Sequence, residues 1–139
     1  MGSRRHAREL ALQVLYQLDV KGNCDTYDTL TLQVKPSYPE TIHDYIHKLV
    51  DGVRKYRDEI DVIIEAYSEN WSLNRMAIID RNILRLAIFE ILYCRDIPYK
   101  VAIDEAVELG KKFGTEESSA FINGILDRIA KEKPKAVNQ

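Results

Sequence analysis

Apolar residues recur along this chain at the spacing of a helix rather than a strand. Ala7, Leu10, Ala11, Val14 and Leu18 fall at i, i+3, i+4 and i+7, which predicts an amphipathic helix over Arg4–Val20. Lys21-Gly22-Asn23 ends it. Thr29–Val34 alternates like a strand, but no neighbouring segment offers a partner, so residues 24–39 are expected to form a loop or a short irregular helix. The helical period returns after Pro39. Ile42, Tyr45, Ile46, Leu49, Val50 and Val53 make a second stripe, and Ile60, Ile63, Ile64 and Tyr67 a third, before Trp71-Ser72 marks a corner. From about Leu73 to Cys94 apolar residues surround nearly the whole circumference, the pattern of a helix central in its domain. Asp96-Ile97-Pro98 stops it, because the residue before proline avoids helical angles. A fifth segment, Val101–Phe113, carries Lys111-Lys112 in its last turn and is followed by Gly114, suited to its C-terminal cap. Thr115 is placed to cap a last helix, with Glu116 and Glu117 at its positive end. That helix runs to about Lys131 and leaves Pro134–Gln139 as a frayed tail. The expectation is one all-α domain of 139 residues and six or seven helices, in two packed halves of about 1–71 and 72–133.

Charge narrows the picture. Lys and Arg total 20 against 22 Asp and Glu, a formal charge of −2, which excludes an overall basic coat for nucleic acid but not a local patch. The longest charge-free runs, Leu10–Leu18 and Ser118–Leu126, are too short to span a bilayer, and the N-terminus lacks the apolar centre of a signal peptide. Cys24 and Cys94 form no C-x-x-C pair. Two lone thiols without an export signal point to a reducing cytoplasm.

Candidate chemistry is sparse. His43-Asp-Tyr-Ile-His47 is close to the zinc-protease pattern H-E-x-x-H, in which two His one turn apart share a metal and the acid serves as base. Here the acid is Asp44, His6 is the only other histidine, and both His fall beside the Ile42/Ile46/Val50 stripe, so a structural or solvated role is favoured over a metallohydrolase. Asp104 and Glu108 lie one turn apart, but early acids suit the helix dipole and Glu108 has Lys111 and Lys112 within reach. No phosphate loop or nucleophile motif is present, so no catalytic residue, metal or cofactor is assigned.

The start of the chain is different. Arg4, Arg5, His6 and Arg8 cluster where the helix dipole disfavours positive charge, a placement that makes sense if a phosphate backbone supplies the missing anion. Helical spacing sets Arg5, Arg8, Leu12 and Tyr16 along one line, away from the main stripe. That line suits RNA or a protein partner, and equally a solvated basic face on which Tyr16 packs against a neighbour. Glu90 falls on the core side of the central helix and should be paired with an arginine, while Asp80, Arg81 and Arg85 interrupt its circumference. Phe121 sits at the edge of the Ile122/Ile125/Ile129 stripe, where it completes the core or stacks on a base. Gly124 is read as a point of close helix packing.

Taken in order, four segments resemble the NusB family of bacterial transcription antitermination factors. They are Arg4-Arg-His-Ala-Arg-Glu-Leu-Ala-Leu-Gln-Val-Leu-Tyr16, Asp80-Arg-Asn-Ile-Leu-Arg-Leu-Ala-Ile-Phe-Glu90, Asp96-Ile-Pro-Tyr-Lys-Val-Ala-Ile-Asp-Glu-Ala-Val-Glu-Leu109 and Lys112-Phe-Gly-Thr-Glu-Glu-Ser-Ser-Ala-Phe-Ile-Asn-Gly-Ile-Leu-Asp127. The resemblance implies two three-helix subdomains and a non-enzymatic protein that binds single-stranded boxA RNA with ribosomal protein S10 (NusE). It further implies a larger complex with other Nus factors and RNA polymerase, read-through of terminators in ribosomal RNA operons, and in some relatives a homodimer that occludes the RNA surface. By the family's pattern Arg4, Arg5 and Arg8 match the RNA-binding start. His6 replaces a common third arginine, which would weaken one phosphate contact or make it sensitive to pH. Phe121, Glu117 and Ser119 match the RNA-facing beginning of the last helix, Arg85 lies close to the RNA, and Tyr16 and Asp80 match the S10-facing side. The same fold also serves as an RNA-binding module in ribosomal RNA cytosine methyltransferases. The absence of a cofactor-binding glycine motif favours a stand-alone factor.

Overall fold

A computed structural model describes residues 2–22, 38–69 and 71–132. Among them are six α-helices and no strand: α1 (Gly2–Lys21), α2 (Glu40–Lys55), α3 (Arg57–Tyr67), α4 (Ile78–Tyr93), α5 (Tyr99–Phe113) and α6 (Ser118–Glu132), with a single 3-10 turn, Leu73–Arg75, before α4. The all-α expectation is met. Residues 24–37 and the tail lie outside the described residues. None of the described helices is long and apolar enough to cross a membrane.

The predicted stripes become the core. Every residue of the second stripe, from Ile42 to Val53, is buried on α2. On α4 the residues from Asn82 to Glu90 are buried without interruption, which is why apolar positions ring this segment. This helix is the hub, with α1, α2, α3, α5 and α6 all packed on it, while α1 lies along α2 and α5 along α6. Burial on this scale contributes most of the driving force for folding, at about 25 cal/mol for each Å² of apolar surface removed from water.

Two boundaries differ from the pattern. The central helix does not begin at Leu73, because Met76 and Ala77 are extended, with ψ 147° and 137°, and α4 starts at Ile78. Met76 turns into the core, and the Arg81 guanidinium donates to the Leu73 carbonyl at 3.1 Å, fixing the corner. Helix α5 begins at Tyr99 rather than Val101, directly after Pro98, whose ring presets φ at −60°.

The glycines correct a second expectation. Gly124 is exposed, and a Cβ added there would meet nothing among the described residues, so it mediates no close packing between them. Close approach occurs at Gly52, where an added Cβ would run into the Phe89 ring and α2 could not keep its distance from α4. Gly114 does follow α5, its N–H donating to Gly110, but at φ −98° rather than in the left-handed region. Its need for glycine is steric: a Cβ would collide with the Ser118 hydroxyl. That hydroxyl accepts the Thr115 N–H at 2.9 Å and lies 3.3 Å from the Thr115 hydroxyl, a reciprocal arrangement like a capping box at the start of α6.

Candidate nucleic-acid interface

The first turn of α1 carries no acidic residue, so the amide dipole and the arginines both present positive charge there. The three arginines nevertheless have different fates. Arg5 is half exposed and reaches across to α5, where its Nε and Nη2 donate to Glu105 Oε1 and Oε2 at 3.1 and 2.7 Å. Arg4 is equally open. Its Nη2 lies 3.4 Å from Asp96 in the α4–α5 corner, and its guanidinium sits 4.9 Å from the Tyr45 ring centroid. Arg8 is only 4% exposed. Its Nε donates to both oxygens of Glu90 at 3.0 Å, and its Nη1 lies 3.4 Å from Glu105.

Burial therefore divides the line read as one outward face. Leu12 and Arg8 turn inward and only Arg5 and Tyr16 reach solvent, because Glu90 of α4 and Glu105 of α5 draw Arg8 under cover. Glu90 has the arginine partner its position required. It also accepts a hydrogen bond from the Tyr45 hydroxyl, so a buried charge is matched by charge and hydrogen bonds together. Burial pushes the Tyr45 hydroxyl far above its ordinary value, and the Glu90 charge adds to that. For Arg8, burial acts against the charged form, but the hydrogen bond and charge of Glu90 outweigh it and the net shift is upward. The hydrogen bond from Arg5 holds the Glu105 carboxyl below the usual range, against the opposing effect of burial.

The arginines open onto a groove of about 530 Å³ lined by Arg4, Arg5, Arg8, Ile97, Pro98, Val101, Asp104 and Glu105. A second hollow of about 390 Å³ continues along α5 past Glu108 and Lys111 to Lys112, whose Nζ lies 3.0 Å from both oxygens of Glu9. The acids of α5 thus share these hollows with the arginines. Glu105 stands among them. His6, half-buried, meets Tyr38 edge-on with ring centroids 5.0 Å apart.

The remaining expected site residues are spread more widely. Arg85 is 3% exposed, its guanidinium held by Asp61 at 2.8 and 3.1 Å and by Asp19 at 2.9 Å. In this structure it is an interior strut without surface to offer RNA, because two carboxylates from α1 and α3 converge on it. Glu117 is exposed. Ser119 donates its hydroxyl to the Val107 carbonyl at 3.0 Å, and Phe121 is half-buried against the core. Tyr16 lines an open groove of about 610 Å³ with Leu12, Gln13, Gln17, Ala77, Ile78, Ile79 and Phe113. Asp80, in the first turn of α4, keeps its Oδ1 buried with no hydrogen-bond partner among the described residues. His43 and His47 lie on α2, and among the described residues no three His, Cys, Asp or Glu are grouped to hold a metal.

A groove edged with arginines on an all-α scaffold fits the resemblance, and comparison with known proteins decides it. The NusB family pattern matches residues 5–131. The chain belongs to the NusB family. It is 53% identical over 135 residues to the transcription antitermination protein NusB of Myxococcus xanthus (strain DK1622), covering 94% of this chain and 96% of that protein. It is 48% identical over 136 residues to the NusB of Geobacter sulfurreducens, covering 96% and 98%. Among solved structures, T. maritima NusB superposes with a TM-score of 0.88 at 41% identity, over 96% of this chain and 92% of that one. A chain from a complex of antitermination factors NusB and NusE with double-stranded RNA superposes with a TM-score of 0.84 at 30% identity, over 95% and 98%.

Glu105, Asp96 and Tyr45 are the members of this NusB surface that sequence reasoning missed. Each meets the arginines only through tertiary packing, Glu105 from 100 residues further along the chain, so no local spacing marks them.

Proposed function

We propose that this chain is a transcription antitermination factor that binds single-stranded boxA-type RNA together with ribosomal protein S10 (NusE). In that role it joins other Nus factors on RNA polymerase in the cytoplasm and promotes processive transcription of ribosomal RNA operons. The reading rests on one observation above the others: in a chain of the NusB family, Arg4 and Arg5 stand half exposed at the positive end of α1. It needs no catalytic residue, metal or cofactor.

Arg4 and Arg5 supply phosphate contacts, which position RNA without reading it. His6 adds a contact beside them. Arg8 acts indirectly, holding Glu90, Tyr45 and Glu105 so that Arg4 and Arg5 keep their places, and Arg85 likewise acts through the packing of α4. Phe121, Glu117 and Ser119 at the start of α6 contribute stacking and polar contacts to unpaired bases. Tyr16 and the apolar groove around it form the S10 surface, with Asp80 at its α4 side.

The test is a titration of labelled boxA RNA and a scrambled RNA of equal length, with and without S10. Tighter binding of boxA, strengthened by S10, is expected. Equal affinity for the two RNAs in both conditions would overturn the reading. Light scattering with and without RNA reports whether a homodimer competes for the same groove.

A further inference from the structure

Each exposed basic side chain on the arginine groove already holds a carboxylate. Arg5 is clamped by Glu105 through Nε and Nη2, the same edge of the guanidinium that grips a phosphate with two parallel hydrogen bonds. Arg4 gives Nη2 to Asp96, which also lies 3.9 Å from Lys48 Nζ, and Lys112 gives Nζ to both oxygens of Glu9. We propose that Glu105 on Arg5, and Asp96 on Arg4, are internal stand-ins for phosphate that RNA must displace, so that these carboxylates set the threshold at which the groove accepts any polyanion. The proposal rests on the RNA-binding reading above and deepens it.

The geometry favours a displaceable contact over a permanent strut. Arg5 is 56% exposed, so its guanidinium is open to water, salt and an incoming anion even while Glu105, at 14%, stays mostly covered. Glu105 also has a second partner. Arg8 Nη1 stays 3.4 Å away, so a carboxylate that is only 14% exposed would not be left uncompensated when Arg5 swings out to a phosphate. A strand of RNA brings many phosphates and gains by counterion release, which one carboxylate cannot match. The cost of breaking the latch is common to every RNA. It leaves the ratio between sequences unchanged and lowers all affinities together, so only RNA held additionally through its bases or through the partner protein remains bound. This accounts for acids within a binding groove of a chain whose net charge is already −2.

The test uses the full chain, the isosteric variant Glu105→Gln and, because Asp96 is exposed and its loss leaves the core untouched, Asp96→Asn. Fluorescence anisotropy is read with labelled boxA-type RNA and scrambled RNA over a series of salt concentrations. Both variants should bind both RNAs about two- to fivefold more tightly, the range set by exposed ion pairs. Their affinity should also fall more steeply with salt, since fewer protein carboxylates compete with phosphate. A structural role for the carboxylates would not steepen that slope. Unchanged or weaker binding by both variants, with the unaltered protein binding normally, overturns the latch and leaves the RNA reading standing. Failure of the unaltered protein to bind either RNA overturns the RNA reading itself.

Discussion

Two clusters of arginines and carboxylates in this protein use the same chemistry for different ends. One lies inside, where Arg85 and Arg81 meet Asp19 and Asp61 between α1, α3 and α4. The other lies at the rim, where Arg4 and Arg5 meet Asp96 and Glu105. Arg8 and Glu90 connect the two styles, a buried pair directly beneath an exposed one. Depth decides what each pair does. A buried pair cannot open without leaving an uncompensated charge, so it fixes helix positions. An exposed pair exchanges readily with water, salt or another anion, so it is suited to binding.

The sharpest way to break this contrast is to remove Arg8. Arg8→Ala leaves Glu90 buried with the Tyr45 hydroxyl as its remaining partner among the described residues, and chemical denaturation should show a loss of about 3–5 kcal/mol. Arg85→Ala should fall at the lower end of the same range, about 3 kcal/mol, because Arg81 and Arg57 remain beside Asp19 after the change. If either substitution proves neutral, the interior pairs are not the struts they are taken to be.

A smaller effect follows from pH. Burial raises the Asp19 carboxyl, but hydrogen bonds from Arg81 and Asn82 and the charge of Arg85 outweigh it and bring it down from 3.8 to about 2. A carboxylate depressed in the folded state contributes stability above its unfolded value and loses it as pH falls through the folded one. The contribution of Asp19 should therefore be complete above about pH 4 and fade toward about pH 2. Asp19→Asn should flatten that part of the acid unfolding curve, measured by circular dichroism against pH. The smallest effect on stability belongs to the rim. Arg5→Ala should leave the thermal transition in place while weakening RNA binding, the reverse of Arg8→Ala, whose first effect is on folding.

Much of this fold was legible because helical periodicity depends only on neighbours in sequence. The stripe from Ile42 to Val53 and the apolar circumference of α4 are direct consequences of which faces are covered. The need of Glu90 for an arginine was also legible, since a buried carboxylate imposes it wherever the partner comes from. The division within the arginine cluster was not. Arg5 and Arg8 are three residues apart on one line, and which of them is covered depends on Glu90 and Glu105, placed by helices far along the chain. Gly52 and Gly124 teach the same lesson. Both sit in helical runs, yet only the first faces another element, and that is set by Phe89 across the interface rather than by anything beside it in sequence.

In the proposed function Arg5 is a phosphate ligand at the rim and not a strut, and the salt dependence of RNA binding tests this most directly. Affinity for boxA-type RNA is measured over a range of salt for the unaltered protein and for Arg5→Ala. Arg5→Ala should bind more weakly, with a slope of log affinity against log salt that is shallower by about one unit, one phosphate contact having been lost. An unchanged slope would contradict it.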